Sequence, residues 1–387
     1  MKYNFDEIID RRGTNSIKFD GIAGDAGIPA DCIPMWIADM DFATPEPILN
    51  AMRARLDKRI LGYSDYYDPA FLAAVAGWMK RRFDWDVAPD SFVFSGGVVR
   101  TINACVEHLT APGDGVILMT PAYHPFGDAI ARFHRQPVYS KLIDNDGYYM
   151  VDFADFERKA KDPKNKLFFL CSPQNPTGRV WSASELARIG EICFQNDVFV
   201  VSDEIHADLV RTGVEHIPFA KLFPNEKRLV TCTAPSKTFN IAGNQLANIV
   251  IPDAALREKW HDEEWTGIPN PLSIDAATAA YNECERWLEE LKRYIDKNFQ
   301  FMRDYLARYL PKARMRIPEG TYLAWVDFSA LHLPDETLRR KIHEAGVYAE
   351  FAGEFVAHDT GRMRLNIACP RAVLEEGLRR IVLALQD

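Results

Sequence analysis

Six short, almost wholly apolar runs recur through the middle of the chain, and they constrain its fold more than any other feature. They are "SFVFS" (91–95), "GVILMT" (115–120), "KLFFLC" (166–171), "DVFVVSD" (197–203), "RLVTCT" (228–233) and "ANIVI" (247–251). A strand with one wet face alternates apolar and polar residues. A near-continuous run of this length suits a strand covered on both faces, as in a parallel sheet. Helical patterns fill the gaps. After Trp181, Ser182 and Glu185 form a capping box, and Leu186, Ile189, Ile192 and Cys193 line one helix face. The alternation predicts an α/β layered domain with a mostly parallel sheet.

The pattern changes after about residue 280. Leu288, Leu291, Ile295, Phe299, Met302 and Leu306 recur at steps of three and four, which predicts one long amphipathic helix. Three strands follow, at 321–329, 346–353 and 361–369, and then a closing helix. The expected division is a large domain over 46–282 and a smaller α+β domain built from 1–45 and 283–387. At 387 residues the chain is too long for one small core.

Charge and composition narrow the function. A formal net charge of −9 argues against a general nucleic-acid binder, which needs clustered Lys and Arg. No apolar run approaches the length of a membrane span, and the charged N-terminus lacks the apolar stretch of a signal peptide. Seven scattered cysteines without a C-x-x-C pair favour buried thiols in a reducing cytoplasm over disulfides or zinc.

In open α/β sheets, ligands gather beyond the carboxyl ends of the strands. The first run is followed by Gly96 and Gly97 and a helix opening near Val98, whose unpaired N–H groups suit an anion. Alone, such a glycine pair is more often only a turn. Tyr123 follows the second run and offers a flat ring. Asn175 follows the third in "SPQNPTGRVW", a turn stiffened by two prolines, with Gly178 permitting an unusual backbone angle. Asp203 ends the fourth, where a poorly solvated carboxylate needs a partner, and His206 is three residues on. Lys237 follows the fifth, in "PSKTFNIAG". Arg364 alternates with apolar neighbours on a late strand; facing inward, its fork would suit a carboxylate. Each signal is weak alone. Together they are the parts needed to hold pyridoxal phosphate and an amino acid: a lysine for its aldehyde, an acid for its ring nitrogen, N–H donors for its phosphate and a guanidinium for the amino acid's carboxylate.

The motifs "PMWIADMDF" (34–42), "GYSDYYDPAF" (62–71), "FSGGVV" (94–99), "PAYHPF" (121–126), "SPQNPTGR" (172–179), "SDEIH" (202–206), "APSKTFNIAG" (234–243) and "RLNIACPR" (364–371) span nearly the whole chain. In this order they make the sequence resemble the fold-type I pyridoxal-phosphate enzymes, the aspartate aminotransferase superfamily, and within them the MalY/PatB-type cystathionine β-lyases. The resemblance implies a three-layer α/β/α large domain. It implies Lys237, Asp203 and Tyr123 as catalytic residues, with Lys237 linked to the cofactor and shuttling the α-proton, Asp203 on the pyridine nitrogen and Tyr123 stacked on the ring. Asn175 and His206 would stand near the ring hydroxyl, and Gly97, Val98, Val99 and Ser236 near the phosphate. Tyr63 would reach the phosphate across a homodimer interface. Arg364, with Asn175, would bind the substrate carboxylate. Two positions depart from the wider superfamily: Ala234 where a phosphate-binding Ser is common, and Gln245 where an Arg is frequent. Asn244 has no assigned role. The implied activity is carbon–sulfur β-lysis of L-cystathionine or a related S-substituted L-cysteine, the alternative being an aminotransferase on the same scaffold.

Overall fold

The structure, a computed structural model, describes residues 2–386 except 23, 25–26, 66, 261–266 and 357–359. All six apolar runs become strands of one seven-stranded sheet. In chain order these are β1 (Phe92–Ser95), β2 (Gly115–Thr120), β3 (Gln136–Lys141), β4 (Asn165–Cys171), β5 (Phe199–Asp203), β6 (Leu229–Thr233) and β7 (Ala247–Val250). Their spatial order is β1-β7-β6-β5-β4-β2-β3. Only β7 runs against its neighbours; the β2–β3, β2–β4, β4–β5 and β5–β6 pairs are parallel.

The continuous hydrophobicity follows from burial on both faces. In β2, Val116 and Leu118 join one core, with Ile102 and Cys105 of the helix Val98–Leu109. Ile117 and Met119, pointing the other way, join a second core with Leu186 and Ile189 of the helix Ala183–Gln195. The capping box of the latter helix forms as expected: Ser182 Oγ accepts from Glu185 N–H, and Glu185 accepts from Ser182 N–H at 2.8 Å. The chain is therefore a three-layer α/β/α arrangement around a mostly parallel sheet.

The edge strand β3 escapes the sequence reading. It is largely exposed, and its polar residues give it no apolar run. The long amphipathic helix spans Glu285–Tyr309. Beyond it lie β8 (Leu323–Asp327), β9 (Glu350–Phe351) and β10 (Arg362–Asn366) in a three-stranded antiparallel sheet, and the helix Arg371–Leu385. The strand expected over 346–353 is corrected: it divides at Ala349. Val347–Tyr348 pairs in parallel with Ile33–Pro34, whereas β9 pairs with β10. Each half serves a different sheet, so the run cannot continue straight.

Candidate active site

Five strands that share a direction, β1, β2, β4, β5 and β6, bring their carboxyl ends to one edge of the sheet. A cavity of about 830 Å³ opens there. Its lining includes Gly97, Val98, Val99, Tyr123, Asn175, Asp203, His206, Ser236, Lys237 and Arg364. Every predicted site residue except Tyr63 is thus brought together. Tyr63 is 93% exposed and stands outside this chain's cavity.

Lys237 sits in the one-turn helix Pro235–Thr238, whose proline at the first position fixes the turn just past β6. Nζ donates to the Ala38 carbonyl at 2.6 Å. Burial pulls the ammonium pKa below its ordinary value, with Arg364 adding to the effect and Asp39 and Asp203 opposing it. The turn is anchored from both sides. Thr238 Oγ1 donates to the buried Asp208 at 3.0 Å, and Asp208 also accepts from Trp78 Nε1 at 3.2 Å and faces Arg82 at 3.4 Å. Asn240, at φ 58°, donates to the carbonyls of Met40 and Phe42 and accepts from Met40 N–H.

Asp203 ends β5 and is buried. It accepts from Ile205 N–H at 3.1 Å. Burial pushes its carboxyl up to about 7; Glu204 adds to the rise, while the Ile205 bond and the more distant Lys237 oppose it. His206 is buried as well, and its Nδ1 has no hydrogen-bond partner among the described residues. Burial holds the ring neutral, with a pKa of about 3. Among the described residues the Asp203 carboxylate has no paired cation and His206 Nδ1 no hydrogen-bond partner, so both are open to a polar group from a ligand. This is the chemistry expected around a protonated pyridine ring bearing a hydroxyl, so the residues fit pyridoxal phosphate.

The other donors agree. Gly97 takes φ 143°, a conformation that favours glycine, and caps the helix Val98–Leu109 without a side-chain bond. The first N–H groups of that helix border the cavity. Gln245, at φ 50° just before the antiparallel β7, reaches the same edge. Tyr123 precedes the helix His124–Arg132, and burial raises its phenol pKa to about 12, so the ring stays neutral. Asn244 is not part of the cavity lining; its backbone carbonyl accepts from Ser273 Oγ.

Arg364 does face inward, at 1% exposure. Nη1 donates to Asn175 Oδ1 at 2.8 Å and Nη2 to the Trp36 carbonyl at 3.2 Å. Glu350 also forms an ion pair with this guanidinium. Sequence reasoning missed Glu350. The available signal was a lone acid in the apolar stretch "YAEFA", where a buried Arg364 would demand an anion. It also gave no role to the segment Trp36–Ala38, which walls the cavity and supplies the acceptor for Lys237.

Among the described residues there is no cluster of metal-ligating side chains, and no helix is long and apolar enough to cross a membrane. Comparison with known proteins agrees with the geometry. The family described as "Aminotransferase class I and II" matches residues 30–381. The chain is 43% identical to cystathionine beta-lyase PatB of Bacillus subtilis over 99% of its own length and 100% of the relative's. It is similar to the solved PLP-bound C-S lyase of Staphylococcus hominis, at 42% identity and a TM-score of 0.94, covering 100% of this chain and 99% of that one. It is likewise similar to cystalysin of Treponema denticola, which contains pyridoxal 5'-phosphate, at 36% identity and a TM-score of 0.96, with both chains covered in full. The strand-end site and these relationships together assign the chain to the aminotransferase class I and II family.

Proposed function

We propose that this protein is a pyridoxal-phosphate-dependent carbon–sulfur β-lyase acting on L-cystathionine or a related S-substituted L-cysteine. The observation that carries the reading is one cavity lined by a buried amine, a carboxylate lacking a cation and an inward guanidinium. The 43% identity to PatB supports a lyase over an aminotransferase.

When bound, pyridoxal phosphate supplies the aldehyde that takes up an amine and the ring that accepts electrons from the α-carbon. The chain's own residues do the rest. Lys237 Nζ, its pKa lowered by burial, would take the proton from Cα. Asp203 would hold the ring nitrogen and favour a proton on it. Asn175 and His206 would hold the ring hydroxyl, and Tyr123 would pack on the ring. The N–H groups of Gly97, Val98 and Val99, with Ser236, hold the phosphate. Arg364 orients the α-carboxylate so that the Cα–H bond faces Lys237. Loss of that proton drives cleavage of the Cβ–S bond, the sulfur leaves as thiolate, and water completes the release of pyruvate and ammonia.

The active form is a cytoplasmic homodimer with Tyr63 reaching the partner's phosphate site. Ile60, Leu61 and Tyr63 are 74%, 55% and 93% exposed, an apolar patch that supports an interface. All seven cysteines are free and buried, which agrees with a reducing compartment. The large domain comprises 46–282, and the small domain 1–45 with 283–387; the Ile33–Pro34 pairing with Val347–Tyr348 supports this division.

The test is to incubate the holoenzyme with L-cystathionine in the absence of any 2-oxo acid and to assay pyruvate. The reading expects steady pyruvate release. Amino transfer that depends strictly on an added 2-oxo acid, with no pyruvate from any cysteine thioether, overturns it.

A further inference from the structure

Arg364 meets a carboxylate belonging to the chain itself. Glu350 and Arg364 stand directly opposite each other where β9 pairs with β10, and both line the cavity with Lys237 and Asp203. The two residues are held very differently. Arg364 is tied to Asn175 and to the Trp36 carbonyl, and its guanidinium lies 5.1 Å from the centre of the Phe355 ring. Glu350 Oε2 forms an ion pair with Arg364, and among the described residues this oxygen has no other hydrogen-bond partner. Burial raises the Glu350 carboxyl pKa, with Arg364 opposing the rise. The arginine is a fixture, whereas the glutamate is held by charge, in the place where an incoming carboxylate would compete.

We propose that Glu350 is a specificity-determining residue: it occupies Arg364 until an amino acid's α-carboxylate displaces it, and its charge then rejects amino acids with an anionic side chain. This rests on the reading of Arg364 as the α-carboxylate site. A displaced Glu350 remains in the same cavity, because its backbone is fixed in the sheet opposite Arg364. A neutral thioether side chain meets no penalty there. Nor does the far end of L-cystathionine, where the second carboxylate is accompanied by its own ammonium and the side chain carries no net charge. A side-chain carboxylate with no such partner is placed beside a like charge, which is a repulsive device of selectivity.

The experiment titrates the holoenzyme by calorimetry with two amino acids that have no α-proton, 2-aminoisobutyrate and α-methyl-L-aspartate, so that binding is read without turnover. Wild type should bind the neutral ligand at least about tenfold more tightly, a modest share of what close like charges cost. In Glu350→Gln that ratio should shrink at least about fivefold, and both ligands should bind more tightly because Arg364 no longer has to leave an internal partner. Glu350→Asp, which keeps the charge, should retain most of the discrimination. An unchanged ratio in Glu350→Gln overturns the proposal and leaves the Arg364 reading standing. Near-equal affinities in wild type overturn it without any variant. Unchanged affinity of both ligands in Arg364→Lys overturns the Arg364 reading and this proposal with it.

Discussion

Asp203 and Glu204 are neighbours, both buried, yet they serve opposite faces of the same strand end. Asp203 faces the cavity with one backbone donor, and its pKa rises to about 7. Glu204 faces the scaffold. Its Oε1 accepts from Ser202 Oγ and Phe219 N–H at 2.9 Å each, and its Oε2 lies 2.8 Å from His216 Nε2. One carboxylate is fully met by the protein; the other is left for something the protein must acquire. Burial alone therefore does not mark a functional acid. Burial with partners missing does.

That contrast can be broken by experiment. The largest effect is expected for the amine opposite Asp203. Lys237→Ala should lower pyruvate formation by at least ~10³-fold and abolish the borohydride-fixable attachment of the cofactor. Asp203→Asn should lower activity by ~10²–10⁴-fold in a protein that still folds, as read from kcat and circular dichroism. Glu204→Gln should do the reverse: it should cost ~1–3 kcal/mol of stability in denaturant unfolding while activity per folded molecule changes little. Comparable activity losses in the two variants would erase the distinction between the faces.

The smallest effect concerns pH. The cofactor-free folded chain keeps the Asp203 proton until about 7, whereas the unfolded chain releases it near 3.8. Over that interval the unfolded state binds fewer protons, so this group makes stability fall as pH rises from about 4 to about 7 and then level off. Cofactor-free Asp203→Asn should lose this slope and melt ~2 °C or more above cofactor-free wild type at pH 8, as followed by scanning calorimetry. Adding pyridoxal phosphate should remove the wild-type slope but have little effect on the slope of the variant.

Much of this was legible before any coordinates. Near-continuous runs such as "GVILMT" announce their two-sided burial, and the polar residue after each strand is sequence-local, so Lys237, Asp203 and Asn175 can be listed in order along the chain. What stayed hidden depends on partners remote in sequence. The edge strand Gln136–Lys141 buries too little to leave an apolar signature. Glu350 matters because of its register against Arg364, which no local pattern encodes. The Ala38 carbonyl meets Lys237 across 199 positions. Tyr63 was placed by resemblance, and within one chain it lies apart from the cavity.

The segment around Trp36–Ala38 is clamped by Asn240 near Lys237 and by Asn366, whose side chain donates to the carbonyls of Ile37 and Asp39. Asn366 thus reaches back across 329 positions of the chain to hold this segment. The enclosure of the reactive amine is thereby held in part from a remote strand, and a change at Asn366 would loosen the wall that carries the acceptor of Lys237 without touching the lysine itself.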